Sequence, residues 1–397
     1  MSAMPSASSS LLALIGQPVQ AIETPALVID LDAMQSNMTR MAQHVRQHRV
    51  RWRPHAKLHK SVQIARWLEQ AGACGHCVQK LEEAEILAAG GIRDLYISNQ
   101  VIAPSKLARV AQLALRLHAA GGRLALAVDQ LEGVHRLAQA MQAAGAGHAV
   151  IDVLVEINVG QNRCGVAPGH AAVPLVQAIL KQPCLRYAGL QAYHGGAQHL
   201  RSAKQRKAAI DEVLNHVHAT LQALEAADIA TPLVTGAGTG TFIHEAASGV
   251  YGELQTGSFL FMDADYAVNE PDPSQPAFEH ALFVKTQVIS VCASHAVCDA
   301  GHKAHAIDSG MPTVHGLLPR HALRFANGGD EHGVLHADSA AGNASGWLPA
   351  WGNTLWLIPG HCDPTVNLHN HMIGVRGGLQ SGTVESIITV DARGALR

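Results

Sequence analysis

Short apolar runs alternate with longer segments of helical period over the first two thirds of the chain. The helical segments, such as SKLARVAQLALRLHAA and AAVPLVQAILKQ, repeat leucine, alanine and valine three and four residues apart. This alternation is typical of βα units around a parallel sheet. The candidate strands are RWRPHAK near residue 51, GACGHCV from 72, DLYISN from 94, RLALAVD from 123, VIDVLVEIN from 150, RYAGLQAYH from 186, PLVTGAG from 232 and GELQTGS from 252. Eight such units predict an α/β fold, a TIM-like (β/α)8 barrel over residues 33–275.

The pattern changes after about residue 275. HALFVKTQVISVC, HKAHAIDSG, TLWLIPGH and MIGVRGG are β-rich pieces without helical segments between them. They predict a second, β-rich domain over residues 276–397. The run ALVIDL precedes the first barrel strand, so we expect residues 1–32 to form an N-terminal segment whose strand pairs with this second domain. The stretch HADSAAGNASGWLPAWGN is typical of a surface loop.

Composition agrees with a two-domain protein that binds a small molecule. A chain of 397 residues exceeds what one hydrophobic core usually organises. With 48% hydrophobic residues, 15% charged residues and a formal net charge of -2, it resembles neither a disordered tail nor a surface for nucleic acid or membranes. The N-terminal run LLALIG is too short for a signal or membrane segment, which predicts a cytoplasmic location.

The seven cysteines favour reduced thiols, because their number is odd and no export signal is evident. Cys74 and Cys77 form a C-x-x-C pair, but a structural zinc site needs four ligands and no second pair lies at a suitable spacing. We therefore expect these two to be buried strand cysteines.

Polar residues at the ends of the predicted strands are the first candidates for chemistry. In a barrel of this kind the active site forms at the carboxyl ends of the strands. The first strand ends in RPHAK, where Lys57 at the barrel mouth could be desolvated and nucleophilic toward a carbonyl. The residues alone leave open whether Lys57 forms a Schiff base or is simply solvated. Gln79 ends the second strand, and the sixth runs into Tyr193, His194 and, five residues on, His199.

The loop after the seventh strand, TGAGTG from 235 to 240, is a candidate phosphate site. Glycines let backbone amides approach an anion, and the start of a helix near Thr241 would favour negative charge. Barrels often bind phosphate after strands seven and eight. Glycine is also used in tight turns for conformational reasons alone, so the main argument for a phosphate site is the position of the loop in the barrel.

In the second domain the sequence PGHCDP is the most distinctive cluster. Residues two apart in an extended segment point the same way, so His361 and Asp363 could bind one ion while Cys362 faces away. An imidazole and a carboxylate suit borderline or hard divalent ions. On spacing alone, a turn held by hydrogen bonds of Asp363 is the better interpretation.

The ordered motifs resemble those of the D-threonine aldolases and their relatives, the D-β-hydroxyaspartate aldolases and D-serine dehydratases. The motifs are TPALVIDLDAM, RPHAKLHKS, DVLVEINVGQNRCGV, LQAYHGGAQH, GVYGELQTGSFLFMDADY, DEHG and PGHCDPTVNLH. They span nearly the whole chain. This family belongs to the alanine-racemase-like, fold type III enzymes, which carry pyridoxal phosphate, and the resemblance also implies a homodimer.

The resemblance assigns roles to particular residues. It implies that Lys57 binds pyridoxal phosphate covalently and that His361 and Asp363 hold a divalent metal, with manganese, magnesium, cobalt and zinc all open. His199 matches the catalytic base, with His194 close by as the other candidate. The implied cofactor contacts are Lys57, Gln79, Arg163, Tyr193, Gly238, Thr239 and Gly240.

The implied reaction cleaves the bond between Cα and Cβ of a D-β-hydroxy amino acid, giving glycine and an aldehyde. In the dehydratases a cysteine stands two residues after the metal-binding histidine, where this chain has Asp363, which favours the aldolases. Two alternatives stay open: a D-β-hydroxyaspartate aldolase that yields glycine and glyoxylate, and a dehydratase of D-serine or D-hydroxyaspartate that yields a keto acid and ammonia. A non-catalytic carrier of pyridoxal phosphate is disfavoured, because single-barrel relatives of that kind lack the second domain and the His-x-Asp motif.

Overall fold

The computed structural model describes residues 8–147 and 151–397. Residue 150, where the fifth predicted barrel strand begins, and residues 1–7 of the predicted N-terminal segment lie outside the described residues. Among the described residues, no helix has both the length and the apolar character needed to cross a membrane.

The strands in chain order are β1 (Ala26–Asp30), β2 (Arg51–Trp52), β3 (His76–Val78), β4 (Asp94–Ile97), β5 (Arg123–Val128), β6 (Ile151–Glu156), β7 (Leu185–Ala192), β8 (Val234–Gly236), β9 (Glu253–Leu254), β10 (Leu282–Val291), β11 (Ala296–Cys298), β12 (Thr313–Val314), β13 (Leu323–Asn327), β14 (Gly333–Ala337), β15 (Thr354–Ile358), β16 (His371–Arg376) and β17 (Thr383–Thr389).

The α-helices in chain order are α1 (Ser9–Leu12), α2 (Leu31–His48), α3 (Val62–Gln70), α4 (Leu81–Ala89), α5 (Pro104–Ala119), α6 (Leu131–Ala143), α7 (Val173–Leu180), α8 (Ala203–Glu225), α9 (Phe242–Ala247), α10 (Ala264–Ala267) and α11 (Cys362–Leu368). Short 3-10 turns at Ala56–Leu58 and Gly195–His199 lie at the barrel mouth.

Eight parallel strands form the barrel, in the order β2-β9-β8-β7-β6-β5-β4-β3. A parallel bridge between His55 and Cys77 joins the two ends of this order. Each of the eight candidate runs overlaps one of these strands, which confirms the predicted TIM-like barrel with a C-terminal β-rich domain. Helices α4 to α7 pack their apolar faces on the sheet, because leucine, valine and alanine recur on one side of each helix.

The second domain is a nine-stranded sheet. Its main path runs β13-β14-β11-β10-β1-β16-β17, with β15 paired to β10 and β12. Strand β1 is antiparallel to β10 and parallel to β16, so the N-terminal strand lies within the sheet of the C-terminal domain. Helix α2 then leads from β1 into the first barrel strand. The start of α11 contacts the 3-10 turn at Ala56–Leu58, so the second domain lies beside the barrel mouth.

Cysteines form no cross-links in this fold, since all seven are free. Cys77 is buried in β3, and Cys74 contacts Arg51 and Glu253 through its sulfur. No group of three or more histidine, cysteine, aspartate or glutamate side chains within residues 8–147 and 151–397 has the geometry of a metal cluster.

Candidate active site

A cavity of about 640 Å³ opens at the carboxyl ends of the barrel strands. Loops from the barrel and the start of α11 from the second domain form its wall. The predicted site residues that line it are Lys57, Gln79, Arg163, Tyr193, His199, Gly238, Thr239, His361 and Asp363. His194 and Gly240 are not among the lining residues. Nine positions spread from 57 to 363 thus meet at one place.

Lys57 lies in the 3-10 turn after β2 and points toward the second domain. Its Nζ is 3.3 Å from Oδ2 of Asp363, and this carboxylate raises the pKa of the lysine even though burial opposes the charge. His55 accepts a hydrogen bond on Nδ1 from the backbone N–H of Lys57, at 3.3 Å. Burial holds the pKa of His55 well below its ordinary value, so the ring is neutral and can accept. The lysine is therefore held at the mouth by its own turn and by a partner from the other domain.

Gln79, Tyr193 and Arg163 surround this lysine. The side-chain amide nitrogen of Gln79 lies 3.1 Å from Nε2 of His55 and donates to Oγ of Ser98 at 3.1 Å. The guanidinium carbon of Arg163 lies 5.9 Å from the centre of the Tyr193 ring, within the range of a cation–π contact. Burial raises the pKa of the Tyr193 hydroxyl, which keeps it protonated and able to donate.

The segment that carries His361 and Asp363 differs in form from the prediction. It is not extended throughout: His361 has extended dihedral angles, but α11 begins at Cys362 because the peptide N–H of Cys362 donates to Oδ2 of Asp263 at 3.1 Å. Both side chains nevertheless line the cavity, and Cys362 is buried behind them. His361 and Asp363 thus reach the same cavity, as predicted, but from the start of a helix and not from an extended strand.

The chemistry of these two side chains fits a divalent metal. Nδ1 of His361 donates to Oδ2 of Asp308 at 2.7 Å, which leaves Nε2 as the nitrogen that can bind an ion. Oδ1 of Asp363 is buried and has no hydrogen-bond partner among the described residues. A single imidazole and a single carboxylate leave most of the coordination sphere of such an ion to water or substrate.

His199 and His194 occupy different environments. His199 lines the cavity, about half of its side chain is exposed, and its Nδ1 lies 2.6 Å from Oδ2 of Asp265. His194 is partly buried outside the cavity wall, where burial lowers its pKa and its Nδ1 has no partner among the described residues. Its ring packs on Gly160, where a Cβ would be 3.0 Å from Nε2. Of the two histidines, only His199 is placed to meet a ligand in the cavity.

The glycine-rich loop follows β8, the seventh barrel strand, and fits the phosphate of a cofactor. A Cβ on Gly238 would lie 2.5 Å from Oε1 of Gln198, so only glycine allows this approach. Gly240 donates its N–H to the same Oε1 at 2.8 Å, so this amide is already used and is not free to bind phosphate. Gly238 and Thr239 line the cavity, whereas Gly240 lines a neighbouring one. The loop can therefore offer a cradle at Gly238 and Thr239, at the amino-terminal side of α9.

Several residues around the cavity were not predicted from the sequence. His55, Lys80 and Tyr266 line the wall, and Asp265 and Asp308 bind the two histidines from behind. The position of His55, two residues before Lys57 in the PHAK motif, was a local signal that could have revealed it. The two aspartates had no such signal, because each lies more than fifty residues from the histidine that it contacts.

Comparison with known proteins places the whole chain among characterised relatives. Residues 29–265 match the alanine racemase N-terminal domain family, and residues 281–375 match the putative serine dehydratase domain family. The chain is 39% identical over 388 residues to a 3-hydroxy-D-aspartate aldolase of Paracoccus denitrificans (strain Pd 1222), covering 96% of this chain and 95% of that protein. It is 40% identical over 383 residues to a D-threonine aldolase of Arthrobacter sp, covering 96% of each. The crystal structure of D-threonine aldolase from Filomicrobium marinum superposes with a TM-score of 0.89 at 44% identity, covering 96% of this chain and 99% of that one.

Proposed function

The chain belongs to the alanine racemase N-terminal family, in the branch of the D-threonine and 3-hydroxy-D-aspartate aldolases, and from this premise we propose that it cleaves D-β-hydroxy amino acids with pyridoxal phosphate and a divalent metal. The family relationship expected from the motifs is confirmed, and the chain is a carbon–carbon lyase. We propose that Lys57 holds the cofactor, that Gly238 and Thr239 hold its phosphate, and that His361 and Asp363 hold the metal.

One observation carries this proposal. Lys57 and His199 come from two turns of the barrel, and His361 and Asp363 come from one segment of the second domain. All four line a single cavity, with Lys57 and Asp363 in direct contact. A lysine lies beside a carboxylate and near an imidazole that can still bind an ion. The lysine can hold a carbonyl cofactor, and the carboxylate and imidazole can hold a metal.

The reaction divides a D-β-hydroxy amino acid into glycine and an aldehyde. When bound, pyridoxal phosphate accepts the electron pair that the breaking Cα–Cβ bond releases. When bound, a divalent ion makes a hydroxyl group beside it more acidic. His199 takes the proton from the β-hydroxyl, whose oxygen becomes the aldehyde oxygen, and a proton is added at Cα to complete glycine. No oxidant or further reactant is needed.

The residues of the chain supply orientation as well as proton transfer. Tyr193 and Arg163 form one wall of the cavity next to Lys57. The pair of Lys57 and Asp363 keeps the amine close to the metal side of the cavity, so substrate amine and β-hydroxyl can be held together. His194 is separated from this space, which is why we assign the base to His199.

Product analysis tests the proposal. The protein is loaded with pyridoxal phosphate and Mn²⁺ and incubated with D-threonine, D-3-hydroxyaspartate and D-serine. We expect glycine with acetaldehyde or glyoxylate, and loss of this activity with a chelator that leaves the bound cofactor in place. Formation of a keto acid and ammonia would instead establish a dehydratase.

Reduction with borohydride tests the cofactor site separately. We expect peptide mapping of the reduced holoenzyme to find the label on Lys57. A label on another lysine would contradict the assignment of the cofactor.

A second observation favours 3-hydroxyaspartate among the candidate substrates. Lys80 and Arg163 line the cavity, and neither forms an ion pair within the part of the chain that the structure describes. A second substrate carboxylate would find a charge partner there, whereas the methyl group of threonine would not. We propose that Lys80 binds this carboxylate, since Arg163 lies against Tyr193.

A single substitution separates the two substrates. Lys80→Met should raise KM for D-3-hydroxyaspartate about tenfold or more, as expected for the loss of one charged contact, and leave KM for D-threonine within about twofold. Lys204→Met, which removes an exposed lysine of α8, serves as the control. Equal effects on both substrates would rule out this role for Lys80.

A further inference from the structure

Helix α10 places a carboxylate directly behind the proposed base. Nδ1 of His199 donates to Oδ2 of Asp265 at 2.6 Å. The side chain of Asp265 is only 9% exposed, whereas that of His199 is 51% exposed. The aspartate is therefore enclosed by protein while the imidazole it binds faces the cavity.

This contact decides which nitrogen of His199 can act as a base. A neutral imidazole carries its proton on one nitrogen and its lone pair on the other. Because the carboxylate of Asp265 accepts from Nδ1, the proton lies on Nδ1 and the lone pair on Nε2. The same hydrogen bond limits rotation of a ring that is otherwise half exposed.

Asp265 is itself fixed by Arg201. The guanidinium of Arg201 pairs with Oδ1 of Asp265 and donates to its backbone carbonyl at 2.7 Å. Arg201 also donates to Oδ1 of Asn269 at 2.8 Å. One carboxylate oxygen is thus occupied by Arg201, which leaves the other directed at His199.

The backbone of α10 is attached to the segment that carries the proposed metal ligands. Ala264 donates its N–H to the carbonyl of Pro359 at 2.9 Å, and Asp265 donates to that of Gly360 at 3.3 Å. The carboxylate of Asp263, which caps α10 by accepting from Tyr266, also accepts from the N–H of Cys362. The distance between His199 and the pair His361 and Asp363 therefore depends on α10.

We propose that Asp265 is a positioning residue that holds His199 with Nε2 toward the β-hydroxyl of the substrate, at a fixed distance from His361 and Asp363. This inference rests on the proposed function, in which His199 takes the hydroxyl proton. Asp265 acts only through His199 and touches neither substrate nor cofactor.

The test compares Asp265→Asn with wild type as holoenzymes. Because Asn can present its amide to Nδ1 and so favour the wrong tautomer, we expect kcat for cleavage to fall by about 10² to 10⁴ while KM changes less than about threefold. Affinity for pyridoxal phosphate, whose proposed contacts Lys57, Gly238 and Thr239 do not include His199, should stay within about twofold. Asp211→Asn, which removes an exposed carboxylate of α8, controls for the loss of charge.

A double-mutant cycle distinguishes positioning from a general structural role. In a His199→Ala background, Asp265→Asn should reduce kcat by less than about twofold, since the residue through which it acts is gone. A reduction as large as in wild type would overturn the proposal. If Asp265→Asn lowers cofactor affinity, Asp265→Ala provides the second variant, because alanine cannot accept from Nδ1 of His199, and a kcat equal to that of wild type would likewise overturn the proposal.

The outcomes also separate this inference from the proposed function. If His199→Ala is inactive and Asp265→Asn is fully active, only the role of Asp265 fails. If His199→Ala cleaves the substrate normally, the assignment of the base fails and the role of Asp265 fails with it. If wild type cleaves none of the D-β-hydroxy amino acids, the proposed function itself is wrong.

Discussion

At the scale of single residues, the buried side chain of Gln198 holds the loop after β8 in place. Its side chain is 1% exposed. It accepts from the N–H of Gly240 and donates to Oγ1 of Thr241 at 2.9 Å and to the carbonyl of His194 at 3.2 Å. The turn that carries His199 and the loop proposed to hold phosphate are thus joined by one amide.

Gly238→Ala should weaken cofactor binding about tenfold or more. The new Cβ would lie 2.5 Å from Oε1 of Gln198, and moving that amide breaks its bonds to Gly240 and Thr241. Titration of the apoprotein with pyridoxal phosphate measures the effect. Gly133→Ala in α6 is the control, because its Cβ meets nothing and should only add helix stability of about 0.5–1 kcal/mol. Unchanged affinity in Gly238→Ala would contradict the phosphate assignment.

Glu245 lies beneath the same loop, and its protonation should make the stability of the protein depend on pH. Burial raises its pKa from 4.5 to about 7, and Thr241 donates to its Oε1 at 2.8 Å. Between these values the folded state binds more protons than the unfolded state, so the free energy of unfolding falls as pH rises and then levels off. Relative to wild type, Glu245→Gln should gain up to about 3 kcal/mol between pH 4.5 and 8.

Urea unfolding of both proteins at pH 5 and pH 8 measures this gain. The comparison is between pH values, so any constant cost of the glutamine cancels. Glu225→Gln, at the exposed end of α8, is the control. If the difference between Glu245→Gln and wild type is the same at both pH values, Glu245 is charged in the folded state and the prediction is wrong.

The sequence located cavity-lining residues that a local pattern marks and missed residues that contact them from elsewhere in the chain. Lys57 was located because it ends the predicted first barrel strand, and His361 and Asp363 because they stand two apart in a distinctive motif. Asp265 and Asp308 could not be found, since their histidine partners are 66 and 53 residues away. Only the fold brings such pairs together.

At the scale of elements, a buried lysine ties the N-terminal segment to the second domain. Lys285 in β10 is 3% exposed, and burial lowers the pKa of its ammonium. It donates to the carbonyls of Val19, Gln20 and Ile22 at 3.0, 3.2 and 2.5 Å. One side chain thus satisfies three carbonyls of a segment that has little regular structure of its own. The sequence of β10 gave no sign of this, because a buried lysine is exceptional.

Lys285→Met should lower the free energy of unfolding by about 2–4 kcal/mol. The three carbonyls would lose their donor inside the protein, and methionine cannot replace it. We also expect faster proteolysis between residues 8 and 25, measured by limited digestion. Lys204→Met is the matched control. If Lys285→Met and Lys204→Met have the same free energy of unfolding and are digested at the same rate, the hydrogen bonds of Lys285 contribute nothing to stability.

At the scale of the whole molecule, the predicted two-domain division does not divide the hydrophobic interior. One core cluster belongs to the barrel alone, with Leu113 and Leu126 among its members. A second runs without interruption from Trp52 and Phe259 of the barrel to Leu357 of the second domain. The hydrophobic periodicity and the composition of the sequence locate the boundary between the βα units and the β-rich domain. They do not show which apolar faces of the two domains pack together.

The shared core predicts that the two domains unfold together. Calorimetry under reversible conditions should give a single transition with equal calorimetric and van't Hoff enthalpies, and loss of bound cofactor should follow it. Leu357→Ala in the second domain and Leu113→Ala in the barrel are both fully buried and should each cost about 3 kcal/mol, moving the same transition. Two transitions, each moved by only one variant, would mean that the domains are independent. Such independence would also remove one support of the contact between Lys57 and Asp363, because the shared core helps to hold their two domains in register.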